Sequence, residues 1–172
     1  PAGSRFRKRL APGHRLFPSH RAAYLPPVMT TSSESSGRPG LLFLCVANSA
    51  RSQIAEGWAR ALAPPGTPIF SAGSEPGTLN PHAVTVMGEV GLDISAHHSK
   101  GLDAIALEKI QTVVTLCSDE VCPTLPGSVE RLHWPFPDPA GQGKTAAEEL
   151  KAFRAARDAI GERLRDWLTE RH

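Results

Sequence analysis

Long apolar runs, paired cysteines and tyrosine are what this sequence has least of. No stretch of its 172 residues approaches the roughly 18 consecutive apolar residues of a membrane span, so a membrane protein of helical type is excluded. Three cysteines are too few, and odd in number, for a secreted disulfide framework; they suit a reduced cytoplasm and reactive thiols. The one tyrosine is Tyr24. Acidic residues are missing from positions 1–28, where Arg5, Arg7, Lys8, Arg9, Arg15 and Arg21 stand alone. The rest of the chain holds 13 basic and 17 acidic residues, so the net charge of +2 hides a mildly acidic body with no basic stripe for nucleic acid.

Residues 1–39 mix Pro, Gly, Ser and Arg without period and are expected to form a disordered tail. Two origins fit it. An Arg-rich, acid-free start without an apolar core suits an organelle transit peptide. Alternatively, Met29 followed by Thr-Thr-Ser-Ser reads as an ordinary translation start, with the preceding segment an upstream extension of the reading frame. Residues 40–172 suit a single domain able to bury a core, 40% of the whole chain being apolar.

That domain is organised around residues 44–56, Leu-Cys-Val-Ala-Asn-Ser-Ala-Arg-Ser-Gln-Ile-Ala-Glu. The apolar run 41–44 predicts a buried strand, and 52–62 a helix. Cys45 then sits where a strand ends, with Arg51 six positions on and a helix opening at once. In such a loop the N–H groups of Val46, Ala47, Asn48, Ser49, Ala50, Arg51 and Ser52 can turn inward around a tetrahedral oxyanion. Arg51 supplies a planar fork for two oxyanion oxygens. The helix N-terminus favours a thiolate at Cys45, to which Ser52 can donate its hydroxyl. Asn48 tolerates a left-handed backbone. Cys-x5-Arg alone is a weak signal, more often the mark of a core cysteine and a surface charge; the strand before and helix after give it weight.

Further along, 64–68 reads as a loop and 69–73 as a strand. A helix is predicted over 81–90, with Asn80 as N-cap, Pro81 at the first turn, Ala83, Val86, Met87 and Val90 on one face, and Gly91 as its stop. A shorter helix is predicted over 102–109, and strands over 112–117 and 131–134. The last helix opens at Thr145 with Glu148 completing a capping box, and its apolar stripe is Leu150, Phe153, Ile160, Leu164, Trp167 and Leu168. Strands alternating with helices imply an α/β fold, a doubly wound three-layer arrangement on a small parallel sheet of about four strands. Such sheets bind ligands beyond the carboxyl ends of their strands. Cys45 and Cys117 both fall there, and neighbouring strands would bring their backbones to about 5 Å, close to the Cα separation of a disulfide.

Cys117 and Cys122 bracket a short loop-like stretch. A zinc site would need about four ligands and His133 is the one imidazole nearby, so redox use is favoured over metal. Asp138 lies between Pro137 and Pro139, which fix the aim of its carboxylate. Near an oxyanion loop it can protonate a departing oxygen; standing alone it would simply initiate a turn.

The wording Asn48-Ser49-Ala50-Arg51-Ser52-Gln53-Ile54-Ala55-Glu56 resembles the arsenate reductase branch of the low-molecular-weight tyrosine phosphatase family. So do Ser71-Ala72-Gly73, Asn80-Pro81, Gly91-Leu92-Asp93-Ile94-Ser95, residues 113–119, His133-Trp134 and Asp138-Pro139-Ala140-Gly141. The resemblance implies a thioredoxin-coupled arsenate reductase acting in arsenic detoxification, with phosphate and sulfate as competing oxyanions. It assigns Cys45 as nucleophile, Arg51 as oxyanion clamp, Asp138 as general acid, Cys117 as first resolving thiol and Cys122 as last. The Cys117–Cys122 spacing is shorter than in close relatives. Some relatives hold potassium behind the loop through residues like Asn48, Ser52, Glu56 and Ser71 plus an aspartate. Lys100 stands at the aspartate's position, so no cofactor is expected and an ammonium can take the ion's place. A phosphotyrosine phosphatase using Cys45, Arg51 and Asp138 is the alternative, and a non-enzymatic oxyanion sensor a third. The family's phosphotyrosine wall of tyrosines has no counterpart beside Asp138.

Overall fold

The structure is a computed structural model that describes residues 38–118 and 128–171. The expected tail, apart from its last two residues, and Cys122 therefore lie outside the described residues.

Among the described residues four parallel strands form the sheet: β1 (Gly40–Cys45), β2 (Ile69–Gly73), β3 (Ile110–Thr115) and β4 (Glu130–His133), in the order β2-β1-β3-β4. Central β1 is buried along its whole length, as a strand covered on both faces must be. Its side chains alternate between two cores. Leu41 and Phe43 join a cluster with helices α1 (Arg51–Leu62), α2 (Pro81–Glu89) and α3 (Ala146–Thr169), through Ile54, Trp58, Val86, Met87, Phe153, Ile160 and Leu164. Leu42 and Leu44 join the other, with Ala72, Ile105, Ile110 and Val113. The doubly wound α/β arrangement is thus present, and the register sets Cys45 beside Gly73.

Three local expectations need correction. The helix expected over 102–109 is instead two separate 3-10 turns, Leu102–Ala104 and Leu107–Lys109. Ile105 between them is extended and anchored in the second core, and a helix this short gains too little to oppose that burial. Val90 does not extend the buried face of α2: the helix ends at Glu89, Gly91 follows with φ 77°, and Val90 is 38% exposed. Strand β3 starts two residues earlier than expected. Leu116 still donates to Leu44 O at 2.9 Å, so pairing with β1 continues toward Cys117.

The caps behave as the side chains dictate. Asn80 accepts from His82 N at 2.8 Å, and Thr145 and Glu148 form a reciprocal capping box. In the apolar stripe of α3, Leu150 and Leu168 are only half-buried, while Arg157 is buried among the apolar residues. Its guanidinium donates to Val86 O and Glu89, tying α3 to the end of α2. Among the described residues no helix is long and apolar enough to cross a membrane.

Candidate active site

The loop between β1 and α1 is shaped from outside. Its carbonyls accept from neighbours in turn: Cys45 O from Ser74 N, Val46 O from Glu75 N, Ala47 O from Gly77 N and Ser49 O from Asn80 N. Asn48 O accepts from Ser99 Oγ and Gln53 Nε2. With the carbonyls turned out, N–H groups turn in: those of Asn48 and Ser52 meet the Cys45 sulfur, and that of Val46 meets Cys117. Asn48 adopts the left-handed conformation this requires, φ 46°. Gly73 permits the close approach of β2, because a Cβ there would lie 2.3 Å from Val46 O.

Cys45 is buried at the end of β1, 2.9 Å from Ser52 Oγ, and its pKa is lowered to about 6. The hydrogen bond from Cys117 contributes most; burial opposes it, and the Ser52 hydroxyl with the two backbone N–H groups adds to it. Cys117 is driven the other way, chiefly by donating to Cys45 and then by burial. The pairing therefore favours the thiolate at Cys45 and keeps the proton on Cys117. Both are free cysteines.

Arg51, itself buried, donates to Asp138 Oδ2 at 2.7 Å and to Phe136 O at 3.1 Å. The Asp138 side chain remains 51% exposed, and its other oxygen accepts from Ala140 N at 3.0 Å. The structure so gathers Cys45, Arg51, Cys117 and Asp138 at the carboxyl edge of the sheet, with Ser52 beneath the sulfur.

Behind the loop lies a second polar layer. Asn48 Nδ2 donates to Ser52 and Ser71, and Ser71 donates to Glu56 Oε2 at 2.5 Å. Glu56 is buried; burial would raise its pKa, but the Ser71 hydroxyl, Arg60 and Lys100 lower it on balance. Lys100 Nζ lies 3.4 Å from Glu56 Oε2, and Lys100 N donates to Asn48 Oδ1 at 2.9 Å. The Lys100 ammonium thus faces the carboxylate behind the loop. His97 and Ser99 belong to this layer without a signal in the sequence, and Gln53, quoted there only as part of the loop wording, joins them. Among the described residues no cluster of three or more His, Cys, Asp or Glu could hold a metal ion.

Residues 40–171 match the family described as low molecular weight phosphotyrosine protein phosphatase. The chain belongs to that family. Within it, the chain is 45% identical to an arsenate reductase of Bacillus subtilis over 129 residues, 74% of this chain and 93% of that protein. Among solved structures it resembles an arsenate reductase in a phosphate-binding state, at 31% identity and TM-score 0.65, covering 77% of this chain and 98% of the other. It is also similar to a thioredoxin-dependent arsenate reductase of Corynebacterium glutamicum, at 27% identity and TM-score 0.63, covering 79% of this chain and 63% of that one.

Proposed function

We propose that this member of the phosphatase family reduces arsenate to arsenite in the cytoplasm, with thioredoxin as electron donor. The observation that carries the reading is the pairing of two buried free cysteines, Cys45 and Cys117, whose hydrogen bond lowers the pKa of the first and raises that of the second. A phosphatase needs a single cysteine. A second thiol touching the first suits a reaction in which sulfur must next form a bond to sulfur.

In the proposed cycle the Cys45 thiolate attacks arsenic, and the loop N–H groups with Arg51 hold the oxyanion charge. Asp138 protonates the oxygen that departs as water. Cys117, giving up its proton, attacks the Cys45 sulfur. The S–S bond forms, the S–As bond breaks, and its electron pair reduces arsenic(V) to arsenic(III). Cys122 then attacks Cys117, releases the Cys45 thiolate, and leaves a disulfide for the thioredoxin dithiol to reduce. No resident metal is invoked, and the Lys100 ammonium serves where relatives' potassium would sit.

The test is arsenate-dependent NADPH oxidation with thioredoxin and thioredoxin reductase. Turnover that requires both arsenate and thioredoxin is expected. Hydrolysis of aryl phosphates with no arsenate turnover would place the chain with the phosphatases instead.

A further inference from the structure

The polarity of the layer behind the loop is fixed by backbone groups. Lys100 N–H can only donate, so the Asn48 atom it meets is Oδ1, and Asn48 Nδ2 faces Ser52. The carbonyls of Asn48 and His98 can only accept, so the Gln53 atom 3.0 Å from each is Nε2, whose two hydrogens are shared among these carbonyls and Asn48 Oδ1. Gln53 Oε1 is left facing His97 Nδ1 at 3.0 Å. An amide oxygen only accepts, so the proton is on Nδ1. The bonds then run one way from His97 to Gln53, Gln53 to Asn48 and Asn48 to Ser52, and with Cys45 as the thiolate the Ser52 hydroxyl donates to its sulfur.

Donors aligned in sequence polarise one another, and more so away from water. Gln53, Asn48 and Ser52 are fully buried, whereas His97 is half-buried on the wall of a cleft of about 240 Å³ with Gly57, Arg60, Gly91 and Asp93. The chain of bonds thus meets the outside at His97. The charged and titratable groups around that ring are Glu56 and Arg60 of α1, with Asp93, His98 and Lys100 from its own side of the fold. Burial holds the imidazole below its usual range, so its resting form at neutral pH is uncharged.

We propose that His97 is a positioning residue for the nucleophile: its Nδ1–H locks the Gln53 amide and thereby keeps the Asn48 and Ser52 donors aimed at the Cys45 sulfur. The inference concerns the thiolate itself and holds whichever oxyanion the enzyme turns over.

The experiment measures iodoacetamide alkylation of Cys45 against pH in the full chain, by mass spectrometry of the modified peptide, for wild type, His97→Leu and His97→Asn, with melting temperatures alongside. Asparagine can present an amide N–H where Nδ1 stood. His97→Leu should move the midpoint upward by about half a pH unit, while His97→Asn stays with the wild type. An unmoved midpoint in His97→Leu, or equal shifts in both variants, would overturn the proposal. Imidazole ¹⁵N shifts of the wild type test it without any substitution: the Nδ1–H tautomer at neutral pH supports it, and the Nε2–H tautomer refutes it.

Discussion

Cys45 and Asp138 meet at the proposed oxyanion site but are held in opposite ways. The loop around Cys45 has its carbonyls bonded to residues 74–80, Gln53 and Ser99, and its sulfur is buried against four hydrogen-bonding groups. Asp138 is half exposed, on a loop stiffened by prolines, and is held by Arg51 and by the Ala140 N–H. A nucleophile works best in a field that is already in place, because nothing then has to reorganise during reaction. On the proposed reading the proton donor has to exchange partners, since Arg51 would turn from Asp138 to an arriving oxyanion.

The largest effect should come from the rigid side. Cys45→Ser should abolish both arsenate reduction and aryl phosphate hydrolysis, whereas Cys117→Ser should abolish arsenate turnover and leave slow hydrolysis. Multiple-turnover arsenate reduction by Cys117→Ser would sink the thiol relay. Because the Cys45 pKa is lowered to about 6, the thiolate is present above that value, and activity should fall as pH drops through it.

Asp138→Asn tests the mobile side. Loss of a general acid should lower kcat by about 10²–10⁴-fold. The same change removes the carboxylate that competes for Arg51, so phosphate should inhibit more tightly, which its inhibition constant will show. A lower kcat with weaker phosphate binding would contradict the partner exchange.

The smallest effect is expected behind the loop. Exchanging potassium for sodium at constant ionic strength should leave the wild type unchanged, because Lys100 already supplies a positive charge to Glu56. Lys100→Asp should create a potassium dependence in initial rate. Potassium activation of the wild type would show that the ammonium does not substitute for the ion.

The strand, loop and helix that carry Cys45 were legible because their signals are local: an apolar run, a left-handed-tolerant Asn48, and a helix opening at Arg51. The capping box of α3 was legible for the same reason. The brace behind the loop was legible only in part: the family resemblance placed Asn48, Ser52, Glu56, Ser71 and Lys100 there, whereas His97 and Ser99 carry no such signal. Asn48 is bonded to Ser99 and Lys100, some fifty positions away, and no local pattern in 97–100 announces it. Arg157 could have been found, since it lies four positions beyond Phe153 on the same helical face. A charge in that stripe implies a carbonyl or carboxylate opposite, here Val86 O and Glu89.

The outward-turned carbonyls of the loop have a consequence for choice among anions. Backbone N–H groups and a guanidinium measure charge and tetrahedral shape, and phosphate offers both as well as arsenate does. On the proposed reading, discrimination comes after binding, in whether the central atom can accept two electrons. Phosphate can then occupy the site and be turned away unreduced, so throughput in a phosphate-rich environment follows the ratio of the two anions rather than the concentration of arsenate alone.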